Sequence, residues 1–386
     1  MHVPRYRQSS KDIQQPRFLE IYNIIFDISS KLKPTITRQQ QLCMRMPHDL
    51  DSALEGQSLT SQDCGNRHSA EEGCITRSDI WFDDGNLVLQ AENTQFKVHK
   101  SILAIHSHVF TDMFALPQPD GSATADGCHV VQVPDRATDW QNLLSLLYYN
   151  LERFRVMTTI PGTFLASVIR LGEKYGFMAA RDRCMKCAKE RFMTKLVDWD
   201  GLYSDSMARN PWNVDEKWYD APGVFALINL CEELGITALL PVAYYVTIEL
   251  QSLETIIMGS QLEDGTLVKL APSSQLTLLR GRETILEATH CHPFGWLTGR
   301  KVIPCSSCSN PANCMEQRSA MLEKYSPELR KSVFYALEEW NSTISCRLCA
   351  ACIAAAKEDF EKGRRVIWDN LPTYFGLPSW SELKDF

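Results

Sequence analysis

The densest chemistry in the chain is cysteine. "CSSC" at 305–308 and "CRLCAAC" at 346–352 are C-x-x-C pairs, and Cys314 lies between them. A C-x-x-C turn presents two thiolates at the bite a tetrahedral Zn²⁺ requires, so two such pairs make a closed structural site. The ligand set predicted from this spacing is Cys305, Cys308, Cys349 and Cys352, with Cys314 or Cys346 as substitutes. The pairs stand further apart than the ~15–20 residues of an ordinary zinc ribbon. Core packing is the competing reading: Cys349, Ile353, Ala356, Phe360, Gly363 and Ile367 repeat at helical spacing, and free cysteine is among the most buried residue types. A third pair, Cys184 and Cys187, lies in a helical stretch between charged residues and reads as core thiols.

No other motif carries chemistry. The chain has no G-x-S-x-G, G-x-G-x-x-G, phosphate-binding G-x-x-x-x-G-K-[ST] or H-E-x-x-H, so no catalytic residue is assigned and the chain is read as a non-enzyme. In "FKVHKSILAIHSHVF" (96–110), a strand pattern breaks straight into a helical one at His99 and Lys100. A base or ligand at that switch is one reading. A core histidine hydrogen-bonded at a structural corner is the other, and the one adopted.

These residues need elements to hold them. The chain has 386 residues, 44% hydrophobic and 23% charged, enough for two or three domains. A net charge of −7 and an absence of basic runs argue against nucleic-acid binding. "FLEIYNIIFDI" near the start is too short and too charged to span a bilayer, and no secretory signal is evident. An intracellular setting, cytoplasm or nucleus, is therefore expected, with the 14 cysteines as free thiols or metal ligands.

Residues 1–78 are polar and read as mostly disordered, with one amphipathic helix at 18–32. From 79 to 195 strands precede helices. "NLVLQAE" and "TQFKVHK" form a hairpin, a helical stretch covers 101–115, "HVVQVPD" is a third strand, and Asp139 is placed to cap the next helix. Phe164, Val168, Leu171 and Tyr175 then repeat at helical spacing up to Gly176, a natural stop. A linker at 196–221 leads to a helical region at 222–386, with helices expected at 222–234, 236–250, 274–290, 319–340 and 346–370 and a cysteine-rich loop at 291–316. The fold class is α+β followed by all-α.

"FDDGNLVLQAENTQFKVHKSILAIHSHVFTDMF" resembles the first half of a BTB (POZ) domain: a hairpin, a His with a basic neighbour, then the run carrying Ile102, Leu103, Ala104, His106, Ser107, Val109, Phe110, Met113 and Phe114. The resemblance spans about 82–195. The C-terminal half is similar to a helical partner of this domain in mushroom-forming fungi, through Cys349, Cys352, Arg365, Trp368, Leu371, Pro372, Phe375, Gly376, Leu377, Pro378, Trp380 and Leu383. What the resemblance implies is association, with Ile80, Phe82, Asn86, Lys100, Ile102, Ile105, Val109 and Met113 as interaction residues. The same apolar positions would equally close the domain's own core. Two departures stand out. Where many dimeric members place an acidic residue, this chain has Asn86, leaving Lys100 without a charge partner unless Asp83 or Asp84 substitutes. "MFALPQPDG" breaks the helix at Pro117, where cullin-binding members continue with an apolar-x-Glu pattern.

The expected function is thus a non-enzymatic scaffold that oligomerises through the BTB segment, self-association first. The alternative is a substrate receptor of a cullin-type ubiquitin ligase. An enzyme or a zinc-dependent nucleic-acid binder ranks last. Structural zinc is the one cofactor the cysteines suggest.

Overall fold

A computed structural model describes residues 74–116, 123–149, 160–201, 220–299, 301–340, 345 and 347–385. The helix expected at 18–32, most of the linker and Cys346 lie outside the described residues.

The sheet is built on a central strand buried on both faces, with Leu87, Val88 and Leu89 all in the interior, and on a neighbour that alternates Gln95, Phe96, Lys97 and Val98. Strand β2 (Leu87–Ala91) turns through Glu92 and Asn93 into β3 (Thr94–Val98), pairing Leu87 with Val98 and Ala91 with Thr94. This is the expected hairpin. A strand the sequence reading did not resolve, β1 (Thr76–Trp81), runs parallel to β3 on its outer side. β4 (Thr124–Ala125) and β5 (Cys128–Val133) form a second hairpin, in which β5 is the strand expected at "HVVQVPD", and β5 runs parallel to β2. Its turn is Asp126–Gly127, with φ of 51° and 74°, the conformation that Asp-Gly favours between antiparallel strands. The order across the sheet is β1-β3-β2-β5-β4.

The helical stretch expected as one piece at 101–115 is two helices, α1 (Lys100–His106) and α2 (His108–Ala115). Ser107 divides them. Its backbone is extended, its Oγ accepts from the Phe110 N–H at 3.0 Å, and its hydroxyl donates to the Tyr175 carbonyl at 2.5 Å. A serine that satisfies the first turn of a new helix outcompetes continuation of the old one. α2 ends at Ala115 and Leu116 is extended (ψ 141°), the conformation imposed on a residue preceding proline.

Helices α3 (Ala137–Tyr149), α4 (Gly162–Tyr175) and α5 (Met178–Lys189) complete this part. α4 follows the expected repeat and stops at Gly176 in the left-handed conformation (φ 73°). Asp139 is not the cap of α3. It lies buried in the first turn and accepts from Ser167 on α4, cross-linking the two helices.

The C-terminal region contains α6 (Ala221–Leu234), α7 (Leu240–Leu250), α8 (Leu253–Met258), a small hairpin β6 (Ser260–Gln261) and β7 (Leu267–Val268), α9 (Pro272–Cys291), the short α10 (Gly295–Thr298), α11 (Pro311–Leu329) and α12 (Ala350–Tyr374). α11 begins well before the expected 319. Asn310 caps it through its side chain and Pro311 occupies the first turn, a start signal that outweighs the loop-like composition around it. α12 is shifted C-terminally and runs through Pro372 to Tyr374. The aromatic C-terminal segment then folds back, with Trp380 stacked on Trp368 (centroids 5.6 Å apart) and donating to the Trp368 carbonyl.

Two cores result. The larger extends from the sheet through α3–α5 into α6, α7 and α9, so the sheet and the helical region share one interior. Their joint at α4 and α6 is glycine on glycine: a Cβ on Gly162 would lie 2.6 Å from the Gly223 carbonyl oxygen. Arg364 on α12, 3% exposed, pairs with Asp200 and donates to the Leu337 carbonyl, and the Trp368 indole N–H donates to the Thr194 carbonyl. The smaller core, around Trp296, Cys314, Leu348, Cys352 and Phe360, lies apart from it.

Candidate functional site

Two places combine the expected residues. The first is the corner at which β3 meets α1. His99 Nδ1 lies 3.2 Å from the Tyr148 hydroxyl, its Nε2 3.2 Å from Asp84 Oδ1, and its backbone N–H donates to the same Tyr148 hydroxyl at 2.9 Å. Burial holds the Tyr148 phenol above its usual range, so the hydroxyl stays protonated. Phe82 stacks on Tyr148 at 4.5 Å. The corner is thus locked by side chains from three elements, an arrangement suited to holding α1 in place. The histidine is hydrogen-bonded at the corner as expected, to a tyrosine and a carboxylate, and is partly rather than fully buried.

Among the described residues, no carboxylate pairs with Lys100. Asn86 Oδ1 instead accepts from the Lys100 backbone N–H at 2.8 Å, and the Lys100 ammonium sits 5.8 Å from the Phe114 ring. The charged pair of this region is one the sequence reading missed. Lys97 is 7% exposed, and its Nζ lies 2.7 Å from Asp126 Oδ2 and 3.0 Å from the Asp83 carbonyl oxygen. The hydrogen bond to Asp126 raises the Lys97 pKa, and its counterpart lowers that of Asp126. Only the β4–β5 turn, 29 residues on, brings the two together.

The remaining predicted contact residues divide. Ile80 is in the core, Phe82 and Met113 pack against it, and Ile102 is half-buried. Ile105 is 75% exposed and Val109 37%, and Leu116, at the end of α2, is 65% exposed. The α1–α2 pair therefore presents apolar side chains to solvent on both sides of the Ser107 break.

The second place is the thiol cluster of the smaller core. Sγ atoms of Cys308, Cys314, Cys349 and Cys352 all lie within 4.8 Å of one another. Cys305 is beside them, its Sγ 3.7 Å from that of Cys352, but outside the mutually close four. Cys314, expected only as a substitute, is fully buried among them. Cys349 occupies the N-cap of α12. Backbone N–H groups of Cys352 and Ser309 hold its thiol down at about 6, while burial pushes that of Cys352 up. Cys184, by contrast, is plain core: 1% exposed, with its thiol pushed up to about 12 by burial. No disulfide joins the described cysteines. No described helix is long and apolar enough to cross a membrane.

A five-stranded sheet of hairpins and parallel pairs is backed by short helices with Ile105 and Val109 exposed, a make-up in keeping with a protein-interaction module. Residues 83–191 match the family model of the BTB/POZ domain, and this part of the chain is a BTB/POZ domain. Neither the curated proteins nor the solved structures contain a match to the chain.

Proposed function

We propose that the chain is an oligomerising scaffold whose BTB/POZ segment associates with a second copy through the α1–α2 ridge. The observation that carries this reading is the exposure of Ile105 and Val109 on consecutive short helices and of Leu116 just after the second. Apolar side chains left in water are recovered when a self-complementary surface closes around a two-fold axis. The absent charge opposite Lys100 leaves that surface to apolar contact. A cullin-adaptor role fits less well, because α2 ends before Pro117 and cannot extend the helix that pattern uses. In this reading the helical region, sharing its interior with the BTB segment, is presented by the assembly rather than tethered to it, and the setting is intracellular.

The test is the solution mass of the purified full chain across a concentration series, beside Ile105→Asp and Val109→Asp. A dimer that persists to low micromolar concentration, and that either aspartate converts to monomer without loss of fold, supports the reading. A monomer at every concentration sinks it, and co-purification of a cullin would then favour the adaptor role.

A further inference from the structure

The cysteine cluster is built from three separate segments. Cys305 and Cys308 come from the turn after α10, closed by the Cys308 N–H donating to the Cys305 carbonyl at 3.1 Å. Cys314 comes from the first turn of α11, and Cys349 and Cys352 from the start of α12. The core of this region is small, and α11 and α12 each bring a cysteine of the cluster into it beside apolar residues such as Met321 and Phe360. Five thiols converging there from three segments are more than packing requires.

We propose that Cys308, Cys314, Cys349 and Cys352 bind one Zn²⁺ as a structural S₄ site, with Cys305 outside the coordination sphere. Four sulfurs about 2.3 Å from a zinc ion stand about 3.8 Å apart. The Cys308 and Cys349 sulfurs are 3.7 Å apart, and all four lie within 4.8 Å of one another. A metal would therefore contract the cluster by about an ångström at most.

The surroundings suit thiolates. The Cys349 backbone N–H points at the Cys314 sulfur and the Cys305 backbone N–H at the Cys352 sulfur, each at 3.4 Å. Donors aimed at sulfur stabilise its charge and orient it, as outer partners do around metal ligands. Cys305 supplies one of these N–H groups, and its side chain lies against a ligand sulfur, which is the position of such an outer partner. An all-thiolate tetrahedron selects zinc or iron over hard cations. Zinc is favoured because a closed four-ligand site leaves no open position and needs no redox change. Closing this site ties the loop after α10 and the start of α11 to α12.

The decisive experiment is metal content of the full chain purified from zinc-supplemented cells, beside Cys314→Ser and Cys305→Ser. One zinc per wild-type chain is expected. Cys314→Ser should lose it, while Cys305→Ser keeps it with an affinity reduced about 10–100-fold at most. Should Cys314→Ser fail to fold, the wild-type chain still decides. Cobalt substitution should give the intense thiolate charge-transfer bands of a CoS₄ centre, and alkylation should mark Cys305 but spare Cys308 and Cys349 until a chelator is added. A chain without zinc or cobalt bands, iron in place of zinc, or zinc kept by Cys314→Ser and lost by Cys305→Ser would overturn the assignment.

Discussion

The two cores of this molecule solve the same problem by different means. The larger buries Trp140, Phe110, Phe177 and the sheet residues between regular elements, each ended by a recognisable device such as Ser107 or Gly176. The smaller has fewer buried residues, with the aromatic rings of Phe294, Trp296 and Phe360 packed beside a cluster of thiols that the larger lacks. Where periodic elements supply apolar area, burial suffices; in the smaller core the proposed zinc would add a few strong bonds to a more modest burial.

That contrast can be broken or sharpened by experiment. The largest effect is expected from metal removal. Chelation should unfold the smaller core and leave the larger intact, visible as loss of the near-ultraviolet signal of Trp296 and Trp340 while strand content persists. A single cooperative loss of both would erase the distinction. Trp140 is fully buried, with Phe110 and Phe177 edge-on around it. Trp140→Ala should cost about 3–5 kcal/mol in denaturant unfolding, with or without chelator.

The next effect depends on pH. Glu338, near Arg364, is raised by burial from 4.5 to about 7. Its ionised form is disfavoured in the fold, so its contribution is most favourable below pH 4.5 and is lost as pH rises through 7. Glu338→Gln should therefore stabilise the chain at pH 8, on the order of 2 kcal/mol after allowing for residual solvent, and do little at pH 5. Equal melting shifts at both pH values would refute this. The smallest effect is at the helix break: Ser107→Ala removes a cap and a bond to the Tyr175 carbonyl, and should cost about 1–2 kcal/mol. A thermal melt of the variant reads it directly.

What the sequence revealed follows the same division. The β2–β3 hairpin and α4 were legible because alternation and a 4-3-4 repeat are local signals, and the BTB resemblance because it spreads over several such elements. The split at Ser107 was hidden, since Ile102, Leu103, Val109 and Phe110 keep a helical spacing across a serine whose capping partner is Phe110 and whose second bond is to Tyr175. β1 pairs in parallel with a strand beyond a hairpin, which no local pattern announces. In the thiol cluster the C-x-x-C spacing found three of the four close sulfurs. It ranks Cys314 below Cys305 because Cys314 has no C-x-x-C partner, and only the start of α11 at Asn310–Pro311 carries it inward. Lys97 and Asp126 meet through a turn whose strands are too short to show periodicity.

The glycine joint has a mechanical consequence. With Gly162 and Gly223 in backbone contact, no side chain stands between α4 and α6 at this crossing. Bulk added at either glycine would have to push apart the two helices that join the BTB segment to the helical region, so a single methyl group is enough to wedge the joint open.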